Sequence, residues 1–114
     1  MQQPEVKVFL FDILDCIGAI ESHINGIESY SQFMNSRLVY RAVEREIEII
    51  SEALTRIKYT SDHVITNDFA KIKALRNRIV HAYDNVNHDI IWSIIKTDML
   101  TLKEDVQNAL KIYG

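Results

Sequence analysis

Apolar residues recur at three- and four-residue spacing through most of the chain, the period of a helix with one buried face. Val6, Phe9, Leu10, Ile13, Leu14, Ile17, Ile20 and Ile24 form one such stripe and predict an amphipathic helix from Glu5 to Asn25. Asn25-Gly26 then supplies a left-handed stop. A short piece, Ser29 to Asn35, holds room for one helical turn around Phe33 and Met34, with Tyr30 beside it. A second long helix is predicted from Ser36, a plausible N-cap, to Tyr59. Leu38, Val39, Ala42, Val43, Ile47, Ile49, Ile50, Ala53, Leu54 and Ile57 make its apolar side, and Glu44, Glu48 and Glu52 make an acidic row spaced by four.

Thr60-Ser61-Asp62 reads as a break. A third helix is predicted from Asn67, a good N-cap, to Tyr83, with Phe69, Ile72, Leu75, Ile79 and Val80 facing the core. After the polar turn Asp84-Asn85-Val86-Asn87, a fourth helix is predicted from His88 to Tyr113. Its stripe is Ile91, Ile94, Ile95, Leu102, Val106 and Leu110, with Trp92 and Met99 alongside. Four main helices joined by short loops, plus one short extra helix, predict an all-α antiparallel bundle.

Composition narrows the classes. The 114 residues fit a single domain. Three glycines and one proline, Pro4, are too few for the many turns of an all-β domain. No uncharged apolar run approaches the ~20 residues of a membrane span, so no membrane association is expected. The segment Met1-Gln2-Gln3-Pro4-Glu5 lacks a basic stretch followed by an apolar core, so no signal peptide is expected and a cytoplasmic location fits. The one cysteine, Cys16, excludes an internal disulfide and a cysteine-based zinc site, and reads as a small buried hydrophobe. His23, His63 and His88 show no metal-ligand spacing with one another or with carboxylates, so neither metal nor cofactor is expected. The glutamate row lacks the Glu-x-x-His of a carboxylate-bridged metal bundle and reads as surface charge, with Arg41, Arg45 and Arg56 as helical partners.

A net charge of −3 argues against a surface that binds nucleic acid as a whole. Any such function must come from a local patch, and one exists. Between Asp68 and Asp84 the chain carries Lys71, Lys73, Arg76 and Arg78 with no acid. Arginine suits phosphate because its planar fork makes paired charge-assisted hydrogen bonds. Histidine suits proton transfer because its ordinary pKa, near ~6.5, lies close to working pH. Arg76, Asn77 and His81 together could hold a phosphodiester and move protons without a metal. On one helix, however, Arg76 and His81 are roughly 140° apart, whereas Arg76 and Tyr83 are within roughly 20°. Either the helix loosens near His81, or a second subunit completes the site across a two-fold axis. The plainer alternative is a solvated basic face with a histidine interacting with the helix dipole.

The octapeptide Arg76-Asn77-Arg78-Ile79-Val80-His81-Ala82-Tyr83 resembles the R-x4-H-x-Y motif of HEPN-domain proteins of the HepT-like branch. Arg41 to Ala53 is similar to the second helix of that family, which often carries glycine where Ser51 stands, and Asp84 to Trp92 is similar to the segment after the motif. The resemblance runs from about Val6 to Val106.

The resemblance implies a helical bundle that dimerises with two motifs at the interface. It implies a metal-independent ribonuclease toxin restrained by a small nucleotidyltransferase antitoxin, which adds AMP to the motif tyrosine. Arg76 and His81 would be catalytic, Asn77, Arg78 and Lys73 would support them or bind RNA, and Tyr83 would be the modified residue. An alternative is a non-catalytic helical subunit that binds a nucleotidyltransferase and grips a nucleotide or phosphate with the same residues.

Overall fold

The computed structural model describes residues 3–60, 77–78 and 88–113. Those residues contain helices and no strand. Helix α1 spans Gln3–His23, α2 spans Tyr30–Asn35 and α3 spans Arg37–Thr60. Helix α4, His88–Ser93, runs through a π-helical turn, Ile94–Asp98, into α5, Met99–Tyr113.

The helix ends follow local chemistry. Gly26 stands at φ 86°, where a side chain would meet its own backbone, and so releases the chain from α1. Ser29 caps α2 by accepting from the Gln32 N–H at 3.2 Å, while the Gln32 side chain accepts from the Glu28 N–H at 2.7 Å. Ser36 caps α3 through the Val39 N–H at 3.3 Å. Each cap satisfies an amide that the first turn of a helix leaves without a partner.

The predicted stripes meet in one core. Val6, Leu10, Ile13, Ile17 and Ile20 of α1 are buried with Val43, Ile47, Ile50, Leu54 and Ile57 of α3 and with Leu102, Val106 and Ala109 of α5. Each large aliphatic side chain taken from water contributes about 1.5–3 kcal/mol before conformational entropy is set against it. Cys16 lies beside Glu46, and Phe9 shares a shallow groove with Ile49, Ala53 and Arg56. That descending register makes α1 and α3 antiparallel. Among the described residues no polar or charged side chain is fully buried.

Two expectations fail locally. Leu38, assigned to the apolar side of its helix, is 82% exposed, because it sits in the first turn of α3 and off the stripe that continues through Val43 and Ile47. The fourth predicted helix is not a continuous α-helix. The Met99 N–H donates to the Ile94 carbonyl, five residues back, and the rod carries one wide turn at its middle.

Helix α2 is too short to stand alone, since nucleation is costly. Phe33, wholly buried, holds it in place. Its ring lies 5.1 Å from Trp92 of α4 and 6.3 Å from Tyr40 of α3. Desolvation and the nearby charge of Asp89 push the Tyr30 phenol above its ordinary value. The short helix thereby ties the start of α3 to the start of α4.

Candidate functional site

The described part of the basic segment is Asn77-Arg78, in helical conformation. Asn77 is exposed and Arg78 is half-buried. The Arg78 guanidinium reaches the rod formed by α4 and α5. Nη1 donates to Asp98 Oδ2 at 2.5 Å, and Nη2 donates to Ser93 Oγ at 2.9 Å. Two nitrogens of one fork thus serve two acceptors, a geometry that an ammonium does not reproduce. The other Asp98 oxygen lies 3.1 Å from the Thr97 hydroxyl, which also lies 2.6 Å from the Ser93 carbonyl. Lys96, in the same turn, sits 5.2 Å from the centre of the Trp92 ring.

A second polar cluster lies at the start of α4. His88 Nε2 and Glu44 Oε2 are 2.6 Å apart, each side chain only 17% exposed. A carboxylate accepts only, so the imidazole Nε2 carries the hydrogen. The Tyr40 ring packs on His88 at 4.8 Å. Pattern reading placed Glu44 in a solvated acidic row and gave His88 no role. Its other members do behave as surface charge, with Glu48 bridging Arg45 at 3.0 Å and Glu52 bridging Arg56 at 3.4 Å. Glu44 leaves that row for a partner 44 residues away. The signal available in sequence was the flanking of Glu44 by Val43 and Ile47, which puts it at the edge of the apolar stripe.

Elsewhere, burial pushes the Cys16 thiol up to about 12, helped by its hydrogen bond to Glu46 and by the charges of Glu46, Asp12 and Asp15. A thiol so held is protonated and unreactive, as expected of a core residue. Among the described residues no group of histidines, cysteines and carboxylates is arranged to hold a metal ion, and no helix is long and apolar enough to cross a membrane.

The described residues form an all-helical bundle, as the resemblance implied. The family model described as ribonuclease HepT-like matches residues 13–109. The chain belongs to the ribonuclease HepT-like family.

Relatives span the same length. A Methanocaldococcus jannaschii protein named "Putative RNase MJ1380" is 31% identical over 108 residues, covering 94% of this chain and 98% of its own. "Putative RNase TTE0752" of Caldanaerobacter subterraneus is 29% identical over 107 residues, 92% of this chain and 94% of its own. "Probable ribonuclease HepT" of Thermococcus cleftensis is 29% identical over 114 residues, 92% of this chain and 96% of its own. No solved structure matches.

Of the residues that the HepT-like motif singles out, the structure describes Asn77 and Arg78. Lys73, Arg76, His81 and Tyr83 lie outside the described residues.

Proposed function

We propose that this HepT-like chain is a metal-independent endoribonuclease toxin, active as a homodimer in the cytoplasm and silenced by a nucleotidyltransferase antitoxin. The observation that carries the reading is family membership across residues 13–109, with the complete R-x4-H-x-Y octapeptide inside that span. The relatives' names, which carry the words RNase or ribonuclease, support RNA cleavage as the reaction class.

The reaction needs no metal if the ribose supplies the nucleophile. A base takes the 2′-hydroxyl proton, the 2′-oxygen attacks the adjacent phosphorus, and the 5′-oxygen leaves with a proton from an acid. The products are a 2′,3′-cyclic phosphate and a 5′-hydroxyl end. Arg76 offers the charge that steadies the crowded phosphorane, and His81 moves the protons. Because the two residues fall roughly 140° apart on one helix, the pair of motifs in a two-fold dimer supplies each phosphate with both groups. Asn77, exposed on the same segment, and Lys73 lie within reach of the RNA backbone in this scheme.

Tyr83 shares the Arg76 strip of the predicted helix. Transfer of AMP from ATP to its hydroxyl releases pyrophosphate and leaves a phosphodiester beside the arginine. The added bulk and negative charge exclude substrate.

The test is cleavage of a mixed RNA pool by the purified dimer in the presence of EDTA. Wild-type protein is expected to produce cyclic-phosphate ends, and Arg76→Ala and His81→Ala to lose the activity while remaining folded. Absence of cleavage, with tight binding of AMP or phosphate that depends on Arg76, would instead favour the non-catalytic subunit. Mass spectrometry after co-expression with a cognate nucleotidyltransferase should add one AMP to Tyr83.

A further inference from the structure

The contact between Arg78 and the last helices is built by the π-turn. Ser93 and Asp98 are five residues apart. In an uninterrupted α-helix their side chains would point roughly 140° apart, too divergent to meet one guanidinium. The i→i+5 turn over Ile94–Asp98 closes that angle, and both groups face Arg78, at 2.9 and 2.5 Å. The Thr97 hydroxyl spans the same turn, between the Ser93 carbonyl and the Asp98 carboxylate. Such side-chain bonds to the preceding turn bend helices and locally compete with the α ladder. Single π-turns of this kind are concentrated at functional sites.

We propose that Arg78 is a positioning residue, clamped by Ser93 and Asp98 across the π-turn so that the Arg76–His81 motif is held in its working orientation. The proposal rests on the ribonuclease reading above. It removes Arg78 from the RNA contacts and gives the widened turn a purpose. Arg78 sits two residues after Arg76 and three before His81, between the two groups that perform the chemistry. On the helix read from the sequence, Arg76 lies about 160° around from Arg78, so a clamp that turns Arg78 toward the rod turns Arg76 away from it. His81 falls about 60° from Arg78 on that same helix. An arginine already neutralised by a carboxylate at 2.5 Å is a poor phosphate ligand and a good strut.

The experiment is a double-mutant cycle of Arg78→Met and Asp98→Asn, read by cleavage kinetics and by hydrogen exchange. Each single variant should lower kcat by about 10- to 100-fold, as misplacement of catalytic groups does, with KM for RNA within about twofold. The double variant should be no slower than the slower single, because both remove one contact. Arg78→Lys, which keeps the charge without the fork, should recover part of the loss. In parallel, exchange in the peptide carrying Asn77 and Arg78 should speed up by the same factor in both single variants, with α1 and α3 unchanged.

The opposite pattern overturns the proposal. If Arg78 grips RNA, Arg78→Met raises KM, leaves kcat and lowers the salt slope of binding by about 0.7, while Asp98→Asn frees the guanidinium and tightens binding. Unchanged exchange in both variants also overturns it. Should wild-type protein cleave no RNA, the ribonuclease reading falls, and the exchange cycle still decides whether the clamp exists.

Discussion

Replacing Phe33 with alanine tests whether the short helix α2 is a structural keystone. Phe33 is wholly buried and is the one large side chain that α2 places in the core. Losing the benzyl group forfeits about 1.5–3 kcal/mol of transfer free energy. The vacated space adds a cavity term, and Phe→Ala in well-packed cores costs about 3–5 kcal/mol in all. Two ring contacts go with it, to Trp92 at 5.1 Å and Tyr40 at 6.3 Å, and such pairs add about 0.5–1.5 kcal/mol each. Some of the cavity can close, since Trp92 is only half-buried, so we expect about 4 kcal/mol. Against a total stability of about 6–17 kcal/mol for a chain of this length, that is a large fraction. Urea denaturation followed by circular dichroism measures it directly, at constant protein concentration so that association does not change the reference. Leu38→Ala, at an 82% exposed position of the neighbouring helix, is the control and should move stability by under about 0.5 kcal/mol. A loss below about 1 kcal/mol for Phe33→Ala would show that α2 hangs loosely on the bundle, and the argument that it ties α3 to α4 would fall.

The remaining expectations are simpler. Glu44→Ala leaves the half-buried His88 without its carboxylate and should cost about 1–3 kcal/mol, with His88→Gln milder because an amide also donates to Glu44; thermal melts of both variants check the order. Cys16, with its thiol pushed up to about 12, should react with a disulfide reagent at pH 8 about 10³-fold more slowly in native than in urea-unfolded protein, and equal rates would contradict its burial. The folded state holds the thiol proton more tightly, so this contribution to stability is complete below the ordinary cysteine value of 9.0 and is eroded as pH climbs from there toward 12. Gly18 is exposed within α1, with open space where a Cβ would stand, so Gly18→Ala should stabilise the chain by about 0.5–1 kcal/mol; a loss in the melt would mean that another backbone approaches that position.

The two polar clusters share a layout. Each joins α4 or the turn after it to an element distant in sequence, Glu44 in one case and Arg78 in the other. Together with Phe33 they brace the stretch from His88 to Asp98 from several sides. In the clamp proposed above, Arg78 is held against the end of that stretch, at Ser93 and Asp98.

Much of this was legible from residues alone because the determinants are local. A period of three and four places Val6 through Ile20 on one side of α1 whatever it packs against, and Gly26 and Ser36 end and start helices through bonds reaching only a few residues. The octapeptide Arg76 to Tyr83 was likewise readable as a motif, since its meaning lies in residue types at fixed spacing. Only the tertiary structure decided that Glu44 abandons its row for His88, that Leu38 faces solvent, that α4 and α5 are separated by a wide turn, and that Arg78 is occupied by Asp98 and Ser93. The physical reason is range. Periodicity is a sum over neighbours within one or two turns, whereas a hydrogen-bonded pair across 20 or 44 residues, or one extra residue in a helical turn, depends on how several faces are satisfied at once.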